Sequence, residues 1–256
     1  MAKKTDAREA AAPAAVRTAF TVAYGAHWLH GSTWGRTAAA VPRLVSLHGG
    51  GAATDHRRMD YLLQPLAAQG WAGSAFDFVG HGATGGSLLG SSLADRQAQA
   101  QAVAAHLGLG AARPPLALIA SSMGGHTACQ LLDALQPRAL VLFCPAAYTP
   151  VAEHQPFGPA FQQTLRTTTD FADALAWTAL RRFRGRLLLV WGAQDVVIPP
   201  AVIQGYGQVA TAARSVDVVQ LPGAGHALHA WLQAQPVAAL ALQQRIAALL
   251  AAAEQD

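Results

Sequence analysis

A serine in a sharp turn is the residue of this chain whose surroundings best suit chemistry. Residues 116–128 begin as an apolar, strand-like run, break into small residues around Ser122, and resume with the spacing of a helix. On such a strand-to-helix corner the hydroxyl of a serine projects from the edge of the sheet, and the tight backbone accepts only small neighbours. The segment therefore predicts that Ser122 is a nucleophile.

A glycine triplet is the second stretch that suits chemistry. Gly49, Gly50 and Gly51 follow His48 at the end of a short apolar run, residues 43–47. Because glycine has no side chain, the backbone itself faces whatever binds beside this turn. Backbone N–H groups in such a turn can hold an anion.

The elements that must position these residues alternate between strands and helices. An antiparallel hairpin is expected first, followed by short apolar runs typical of buried parallel strands, with helical spacing between them. The predicted strands cover residues 17–23, 27–31, 43–47, 73–78, 116–120, 139–143, 186–191 and 217–221, and the main helices cover about 58–70, 92–107, 123–135, 200–213 and 236–252. This order predicts an α/β fold with a mostly parallel eight-stranded sheet flanked by helices.

One segment breaks the alternation. Between residues 146 and 183, prolines and a run of three threonines interrupt two short helical patterns. Insertions of this length without a strand are usually functional, and we interpret this one as a short helical cap. We expect a single domain over residues 17–256, preceded by a flexible tail at residues 1–16.

Five segments, in chain order, resemble the landmarks of the α/β-hydrolase family, and the resemblance covers nearly the whole chain from residue 17 onward. They are His48-Gly49-Gly50-Gly51, Asp77-Phe78-Val79-Gly80-His81-Gly82, Ala120-Ser121-Ser122-Met123-Gly124-Gly125, Trp191-Gly192-Ala193-Gln194-Asp195 and Gly223-Ala224-Gly225-His226. The resemblance implies the α/β-hydrolase fold and a serine hydrolase whose triad runs Ser, acid, His along the chain.

The roles in that triad follow from the chemistry of the residue types. A serine hydroxyl is a poor nucleophile at neutral pH, so it needs a histidine base, and the histidine needs a carboxylate that fixes its tautomer. The resemblance assigns these roles to Ser122, His226 and Asp195. Asp195 and His226 each follow a predicted strand, which puts them at the carboxyl edge of the sheet, where ligands bind in open parallel sheets.

Alternatives remain for each member of the triad. Ser121 is the other candidate nucleophile, although counting the turn from it would put bulky Met123 where a small residue is needed. Asp217 and Glu153 are the other candidate acids, and Asp195 could merely cap the next helix. The nearest rival base is His229, which is expected in the helical turn that follows His226.

The elbow departs from the common Gly-x-Ser-x-Gly pattern, because Ala120 stands at the first glycine position. Alanine adds one methyl group, which a tight turn tolerates. The resemblance gives one oxyanion donor at the Met123 backbone N–H and a second at the Gly50 N–H, with Gly49 or Gly51 as alternatives.

The other histidines are expected to have structural roles. In the family motifs, His48 and His81 brace loops by hydrogen bonding, and His126, one helical turn after Ser122, is expected to pack or to be solvated. The remaining ones lack acidic or sulfur partners at ligand spacing, so no metal site is expected; they are His27, His30, His56, His106 and His154. There is no dinucleotide or phosphate-loop motif, so no cofactor is expected.

Composition excludes several other classes of protein. Charged residues make up 12% of the chain and the net charge of +4 is spread thinly, which argues against nucleic-acid binding. No uninterrupted apolar run is long enough to span a bilayer, and the start of the chain lacks the apolar run of a secretory signal. We therefore expect a cytoplasmic monomer or homodimer without a membrane span, and Cys129 and Cys144 as buried free thiols.

The sequence thus predicts hydrolysis of a carboxylic ester, or a related acyl compound, through an acyl-Ser122 intermediate. Thioester, amide, peptide or carbon–carbon bond hydrolysis on the same triad remains open, as does a non-catalytic binding protein of the same fold. The insertion contains Phe157, Phe161, Phe171 and Trp177. These aromatic residues either form an apolar wall for a hydrophobic small-molecule substrate or anchor the insertion to the core.

Overall fold

The computed structural model describes residues 14–256. Residues 1–13 of the predicted tail lie outside this range, and the first strand begins at Val16, one residue before the predicted start of the domain.

The predicted eight-stranded, mostly parallel sheet is confirmed. Its strands are β1 (Val16–Tyr24), β2 (His27–Gly35), β3 (Leu44–Leu47), β4 (Gly73–Phe76), β5 (Ala117–Ser121), β6 (Ala139–Phe143), β7 (Arg186–Gly192) and β8 (Ser215–Leu221). They lie in the order β1-β2-β4-β3-β5-β6-β7-β8. The hairpin β1–β2 and the pair β2–β4 are antiparallel, and all pairs from β4 to β8 are parallel.

Helices cover both faces of the sheet, as a parallel sheet requires. They are α1 (Asp60–Ala68), α2 (Leu93–His106), α3 (Met123–Gln130), α4 (Leu132–Leu135), α5 (Pro150–Glu153), α6 (Pro159–Thr167), α7 (Leu175–Leu180), α8 (Pro200–Val209), α9 (Leu228–Gln233) and α10 (Pro236–Glu254), with a 3₁₀ helix at His56–Met59. Helix α2 begins where predicted, because the Ser92 side chain accepts a hydrogen bond from the Asp95 backbone N–H.

The single helix predicted over residues 123–135 is wrong in one respect, because Leu131 divides it into α3 and α4. The Leu131 N–H bonds to the carbonyl of Ala128, three residues back, which tightens the turn at the end of α3. Gln136 terminates helix α4 with a left-handed φ of 49°. Pro137 follows it and disfavours a helical conformation at the residue before it.

The core lies around the central strands. Every residue of β6 is buried, and so are the first four residues of β5, since helices cover both faces there. Strand β8 alternates between exposed and half-buried residues because it is an edge strand. The carboxyl ends of β5 to β8 therefore present their loops from a rigid apolar base.

The segment between β6 and β7 contains α5, α6 and α7. Three of the four aromatic side chains considered for the insertion are buried and anchor it, namely Phe157, Phe161 and Trp177. The Phe157 N–H also donates to the Ser91 carbonyl at 2.7 Å. Phe171 is half-buried and lines a cavity beside Ser122. The aromatic residues thus divide between the two roles considered for them.

Helix α10 is long and apolar enough to span a membrane by length and composition, with a mean hydropathy of 1.4. Scanning for uninterrupted apolar runs missed it, because Gln243, Gln244 and Arg245 interrupt an Ala- and Leu-rich segment. In the structure α10 packs against α1, β6 and β7, and its buried face includes Leu242, Ile246 and Leu250.

Candidate active site

Ser122 lies on a strained corner between β5 and α3. Its φ of 51° and ψ of −121° lie in a region that residues other than glycine seldom adopt. The corner is held on both sides, because the Ser122 N–H donates to Phe143 at 2.9 Å and its carbonyl accepts from Ala146 at 3.0 Å. This conformation directs the hydroxyl away from the sheet edge.

The small residues after Ser122 have a steric reason. A Cβ atom on Gly124 would lie 2.3 Å from the Leu47 carbonyl oxygen, and one on Gly125 would lie 2.7 Å from the Pro145 Cβ. Helix α3 can pack this closely against the neighbouring chain only because both positions are glycine.

The side chains of Ser122, His226 and Asp195 form one chain of hydrogen bonds. His226 Nε2 lies 3.0 Å from Ser122 Oγ, and His226 Nδ1 lies 2.8 Å from Asp195 Oδ2. The Asp195 side chain is 1% exposed and that of His226 is 25% exposed. The acid is therefore buried, while the base lies at the cavity surface.

Asp195 uses its two oxygens for two purposes. Oδ2 binds His226, while Oδ1 accepts the backbone N–H groups of Val197 at 2.8 Å and Ile198 at 3.1 Å. Burial raises the pKa of the carboxyl, but the hydrogen bonds from His226 and from these N–H groups outweigh it and lower the pKa below its ordinary value. Asp195 thus caps a local turn and orients His226 at the same time.

The loops after β7 and β8 bring Asp195 and His226 together. The Ala193 N–H donates to Leu221 at 3.0 Å, and the Gln194 N–H donates to Ala224 at 2.8 Å. A Cβ on Gly192 would lie 2.3 Å from the Ala224 carbonyl oxygen, so the loops pack backbone to backbone.

The rival acids have other partners. Glu153 Oε2 lies 2.9 Å from His126 Nε2, and both side chains are buried. Asp217 lies within β8 and forms an exposed ion pair with Arg245 at 3.1 Å. Neither carboxylate is paired with His226.

The rival nucleophile and the rival base contact each other, which sequence reasoning missed. Ser121 Oγ is hydrogen-bonded to His229 Nε2, and His229 Nδ1 is 2.8 Å from the Tyr61 hydroxyl. One sequence signal existed, because Ser121 adjoins Ser122 and His229 lies three residues after His226. Tyr61 is 168 residues from His229, and no local pattern connects them.

The glycine loop lies against the nucleophile. A Cβ on Gly49 would be 3.1 Å from Ser122 Cβ and 3.6 Å from its Oγ, and one on Gly50 would be 2.9 Å from the Met123 Cε. Met123 is the first residue of α3, so its N–H has no acceptor within the helix. The glycine loop and the first residue of α3 therefore both lie beside Ser122.

Buried side chains brace this loop from behind. The Phe78 N–H donates to His48 Nε2 at 3.2 Å, so the His48 proton lies on Nδ1, which donates to the Gly49 carbonyl at 2.7 Å. Burial and the Arg96 guanidinium lower the pKa of His48 well below its ordinary value, which keeps the ring neutral. Arg96, which sequence reasoning overlooked, is 1% exposed, donates to the His48 carbonyl and lies 3.7 Å above the Phe78 ring.

Cys144, Asp195 and His226 form a compact group whose candidate ligand atoms lie within 4.8 Å of one another. The carboxylate and His226 Nδ1 are already bonded to each other, and burial raises the pKa of the Cys144 thiol to about 12. A protonated thiol is a poor metal ligand. This chemistry favours proton transfer over metal binding. Both cysteines are buried and free, as predicted.

Two cavities open on either side of Ser122. A cap-side cavity of about 190 Å³ is lined mainly by apolar residues, including Ala147, Ala152, Leu165, Phe171, Ile198 and Val202, and none of its described lining residues is charged. A second cavity of about 360 Å³, here named the polar cavity, is lined by the glycine loop and by the charged or hydrogen-bonding side chains of Thr54, Asp55, Arg58, Ser121, His226 and His229, although apolar atoms, including those of Met59 and Leu228, make up most of its surface. A ligand at Ser122 can thus extend into two cavities, of which only the polar cavity has charged side chains in its described lining.

Comparison with known proteins agrees with this architecture. The family model described as serine aminopeptidase, S33, matches residues 39–175, which is more than half of the chain. No curated protein matches the chain by sequence.

Solved structures resemble the chain over most of its length. A thioesterase domain from the curacin biosynthetic pathway is 19% identical with a TM-score of 0.63, covering 90% of this chain and 99% of that one. An esterase of Pyrococcus furiosus is 18% identical with a TM-score of 0.64, covering 92% of each chain. A puromycin hydrolase mutant is 18% identical with a TM-score of 0.68, covering 95% of this chain and 40% of that one.

At these identities the structural matches establish the fold, and the family model establishes the family. The protein is therefore an α/β hydrolase that belongs to the serine aminopeptidase S33 family.

Proposed function

We propose that this hydrolase cleaves carboxylic esters through an acyl-Ser122 intermediate, with His226 as general base and Asp195 as the acid that orients it. The observation that carries the proposal is the continuous hydrogen-bonded chain from Asp195 through His226 to the Ser122 hydroxyl, between two cavities.

The chemistry follows from the positions of the protons. Asp195 accepts a hydrogen bond from His226 Nδ1–H and so keeps that proton on Nδ1, which leaves Nε2 free to take the proton of Ser122 as Oγ attacks the ester carbonyl carbon. The imidazolium then returns this proton to the departing alkoxide oxygen as the carbon–oxygen bond breaks. A water molecule releases the acid from Ser122 by the same steps, with His226 again acting as the base.

The negative charge on the carbonyl oxygen needs donors that are already oriented. The Met123 N–H and the Gly50 N–H are the donors we propose, with the Gly49 N–H as the alternative in the same loop. Removal of one such donor typically lowers kcat by about 10²–10³-fold. Bracing of the glycine loop by His48 and Arg96 supports this role, because it fixes the loop before substrate binds.

The cap-side cavity supports a hydrophobic group on the substrate. Its described lining residues carry no charge, and Phe171 and Leu165 are among its apolar residues. A cavity of about 190 Å³ accommodates a short or branched acyl or alkyl group rather than a long chain.

Amide hydrolysis is the second candidate, because the family model is described as a serine aminopeptidase. An enzyme that binds a free amino terminus needs a carboxylate near the nucleophile, and the cap-side cavity offers none among its described lining residues. Asp55 lines the polar cavity and only its Oδ1 is used, accepting the Arg57 N–H at 2.9 Å, but Arg58 lines the same cavity and its positive charge opposes the binding of an ammonium group. We therefore favour the ester.

Burst kinetics with a chromogenic short-chain ester tests the proposal. We expect a burst of released alcohol equal to the enzyme concentration, followed by slower turnover, and fluorophosphonate labelling at Ser122. Ser122→Ala should abolish both, whereas Ser121→Ala should still be labelled at Ser122. Labelling located on Ser121, or turnover that survives in Ser122→Ala, would contradict the assignment.

A parallel assay separates the bond types. The ester, the thioester and the anilide of one acyl group should be cleaved with kcat/KM highest for the ester. A clear preference for the anilide, abolished by Ser122→Ala, would replace the ester with the amide as the substrate class.

A further inference from the structure

The polar cavity contains a second hydrogen-bonded chain, formed by Tyr61, His229 and Ser121. The Tyr61 hydroxyl lies 2.8 Å from His229 Nδ1, and His229 Nε2 is bonded to Ser121 Oγ. Ser121 and His229 line the polar cavity together with Ser122 and the glycine loop. The Ser121 end of this chain therefore lies beside the reacting bond of any ester at Ser122.

The protonation states of Tyr61 and His229 determine which atom donates each hydrogen bond in this chain. Burial raises the pKa of the Tyr61 phenol, so Tyr61 keeps its proton at neutral pH. Burial also lowers the pKa of His229 to about 4, so its ring is neutral and carries one N–H. A phenol is the better donor and a neutral imidazole nitrogen the better acceptor, which makes Tyr61 donate to Nδ1.

This direction leaves the Ser121 hydrogen free. With Nδ1 accepting from Tyr61, the His229 proton is on Nε2 and is donated to Ser121 Oγ. The Ser121 hydroxyl then has its own proton available for an acceptor in the cavity. Hydrogen bonds in series strengthen one another, so each donor polarises the next.

We propose that the Ser121 hydroxyl, oriented by His229 and Tyr61, donates a hydrogen bond to a substrate oxygen in the polar cavity. The inference rests on the proposed ester hydrolysis and extends it to a substrate class. The preferred ester carries an apolar group in the cap-side cavity and an ether, hydroxyl or carbonyl oxygen within a few bonds of the scissile carbonyl on the other side.

The same chain does not act as a second catalytic triad. A histidine that takes a proton from serine becomes an imidazolium. In the case of His226, the Asp195 carboxylate stabilises this positive charge. Tyr61 is neutral, and burial together with the nearby Arg58 disfavours a positive charge on His229. Binding, rather than nucleophilic attack, is the role that this chemistry allows.

Matched pairs of esters test the proposal, each differing by one oxygen in place of a methylene group. Methoxyacetyl and butanoyl esters of one alcohol vary the acyl side, and 2-methoxyethyl and butyl esters of one acid vary the alcohol side. The measured quantity is the ratio of kcat/KM between the oxygen-containing and the all-carbon ester. Taking this ratio relative to wild type cancels the difference in intrinsic reactivity.

We expect Ser121→Ala and Tyr61→Phe to lower this ratio about 3–10-fold for one of the two pairs, the pair whose variable half occupies the polar cavity. Tyr61→Phe is the more informative variant, because it removes one hydroxyl that does not adjoin Ser122. Tyr24→Phe is the matched control, since Tyr24 lies in β1 and lines neither cavity. It should leave both ratios unchanged.

A purely structural role would lower kcat/KM equally for both members of each pair. Ratios that stay at the wild-type value in both Ser121→Ala and Tyr61→Phe would overturn the proposed donor while leaving ester hydrolysis intact. If the wild-type protein cleaved none of the four esters, ester hydrolysis itself would fail.

Discussion

Two hydrogen-bonded chains, each built from three side chains that include a serine and a histidine, lie next to each other in this protein. One runs from Ser122 through His226 to Asp195, and the other from Ser121 through His229 to Tyr61. The serines are adjacent, and the histidines are three residues apart. The third member differs, since one chain ends on a carboxylate and the other on a phenol.

That difference changes what the histidine can do. A carboxylate accepts a hydrogen bond from Nδ1–H and stabilises the imidazolium, so His226 can act as a base toward Ser122. A protonated phenol donates to Nδ1 and turns His229 into a donor toward Ser121. A Ser–His contact alone therefore does not identify a catalytic base, because the group behind the histidine decides the direction of proton transfer.

The largest difference in activity is expected between Asp195→Asn and Tyr61→Phe, which each change the third residue of one hydrogen-bonded chain. Asp195→Asn keeps an acceptor for the Val197 and Ile198 N–H groups but presents an amide donor to His226, which favours the wrong tautomer. We expect kcat to fall about 10³–10⁴-fold. Tyr61→Phe should lower kcat for the all-carbon esters less than about 3-fold, and steady-state kinetics on both variants checks the contrast.

Glu153→Gln is the control for this prediction. Its carboxylate is bonded to His126 rather than His226, so kcat should change less than about 3-fold while the melting temperature falls, because a buried partner is weakened. A loss of activity in Glu153→Gln as large as that in Asp195→Asn would show that the acid has been assigned wrongly.

A smaller loss of activity is expected from a change in the glycine loop, which lines the same cavity as Ser121 and Ser122. In Gly49→Ala the new methyl group would lie 3.1 Å from Ser122 Cβ, so the loop must move away from the nucleophile. We expect kcat to fall about 10²-fold, as for a misaligned oxyanion donor, with little change in KM for the all-carbon esters. Gly110→Ala, whose Cβ would meet nothing within 4 Å and which lies between α2 and β5, is the matched control and should leave kcat unchanged.

The smallest effect concerns stability and its dependence on pH. The folded-state pKa of His229, about 4, is below its unfolded value of about 6.5, so the unfolded chain binds an extra proton between these pH values. Stability contributed by neutral His229 is therefore present above about pH 6.5 and is lost as the pH falls toward 4. His229→Gln should remove about 2–3 kcal/mol of this acid dependence.

Denaturant titrations of the two proteins at pH 4.5 and pH 7.5 measure this difference. Equal losses of unfolding free energy in wild type and His229→Gln would mean that His229 titrates normally, and the direction of the second chain would then need to be reassigned.

Sequence reasoning reached the parts of the site that local pattern encodes. Ser122 was found because the turn requires small neighbours, and the structure gives the reason in the contacts that Gly124 and Gly125 allow. Asp195 and His226 were singled out because each follows a strand, and parallel strands bring their carboxyl ends to one edge. The mostly parallel, eight-stranded sheet followed from the alternation of strands and helices, whereas the order of its strands was not predicted.

The parts that sequence reasoning missed depend on contacts between distant segments. Arg96 is in the first turn of α2, and arginine is normally solvated, yet this side chain is buried against the glycine loop. Tyr61 lies on α1 and reaches His229 on α9. The break at Leu131 and the membrane-like composition of α10 were also missed, since both depend on details that apolar periodicity does not resolve.

Because its two oxygens have different partners, Asp195 should respond to mutation differently from Ser122. Catalytic groups are often held at a cost in stability, so replacing them commonly yields a more stable, inactive protein. Ser122 fits this pattern, because glycine at its φ of 51° would relieve strain. Asp195 does not, because Oδ1 also accepts two backbone N–H groups that a small apolar side chain would leave unbonded. Selection for thermal stability should therefore readily replace Ser122 and retain Asp195.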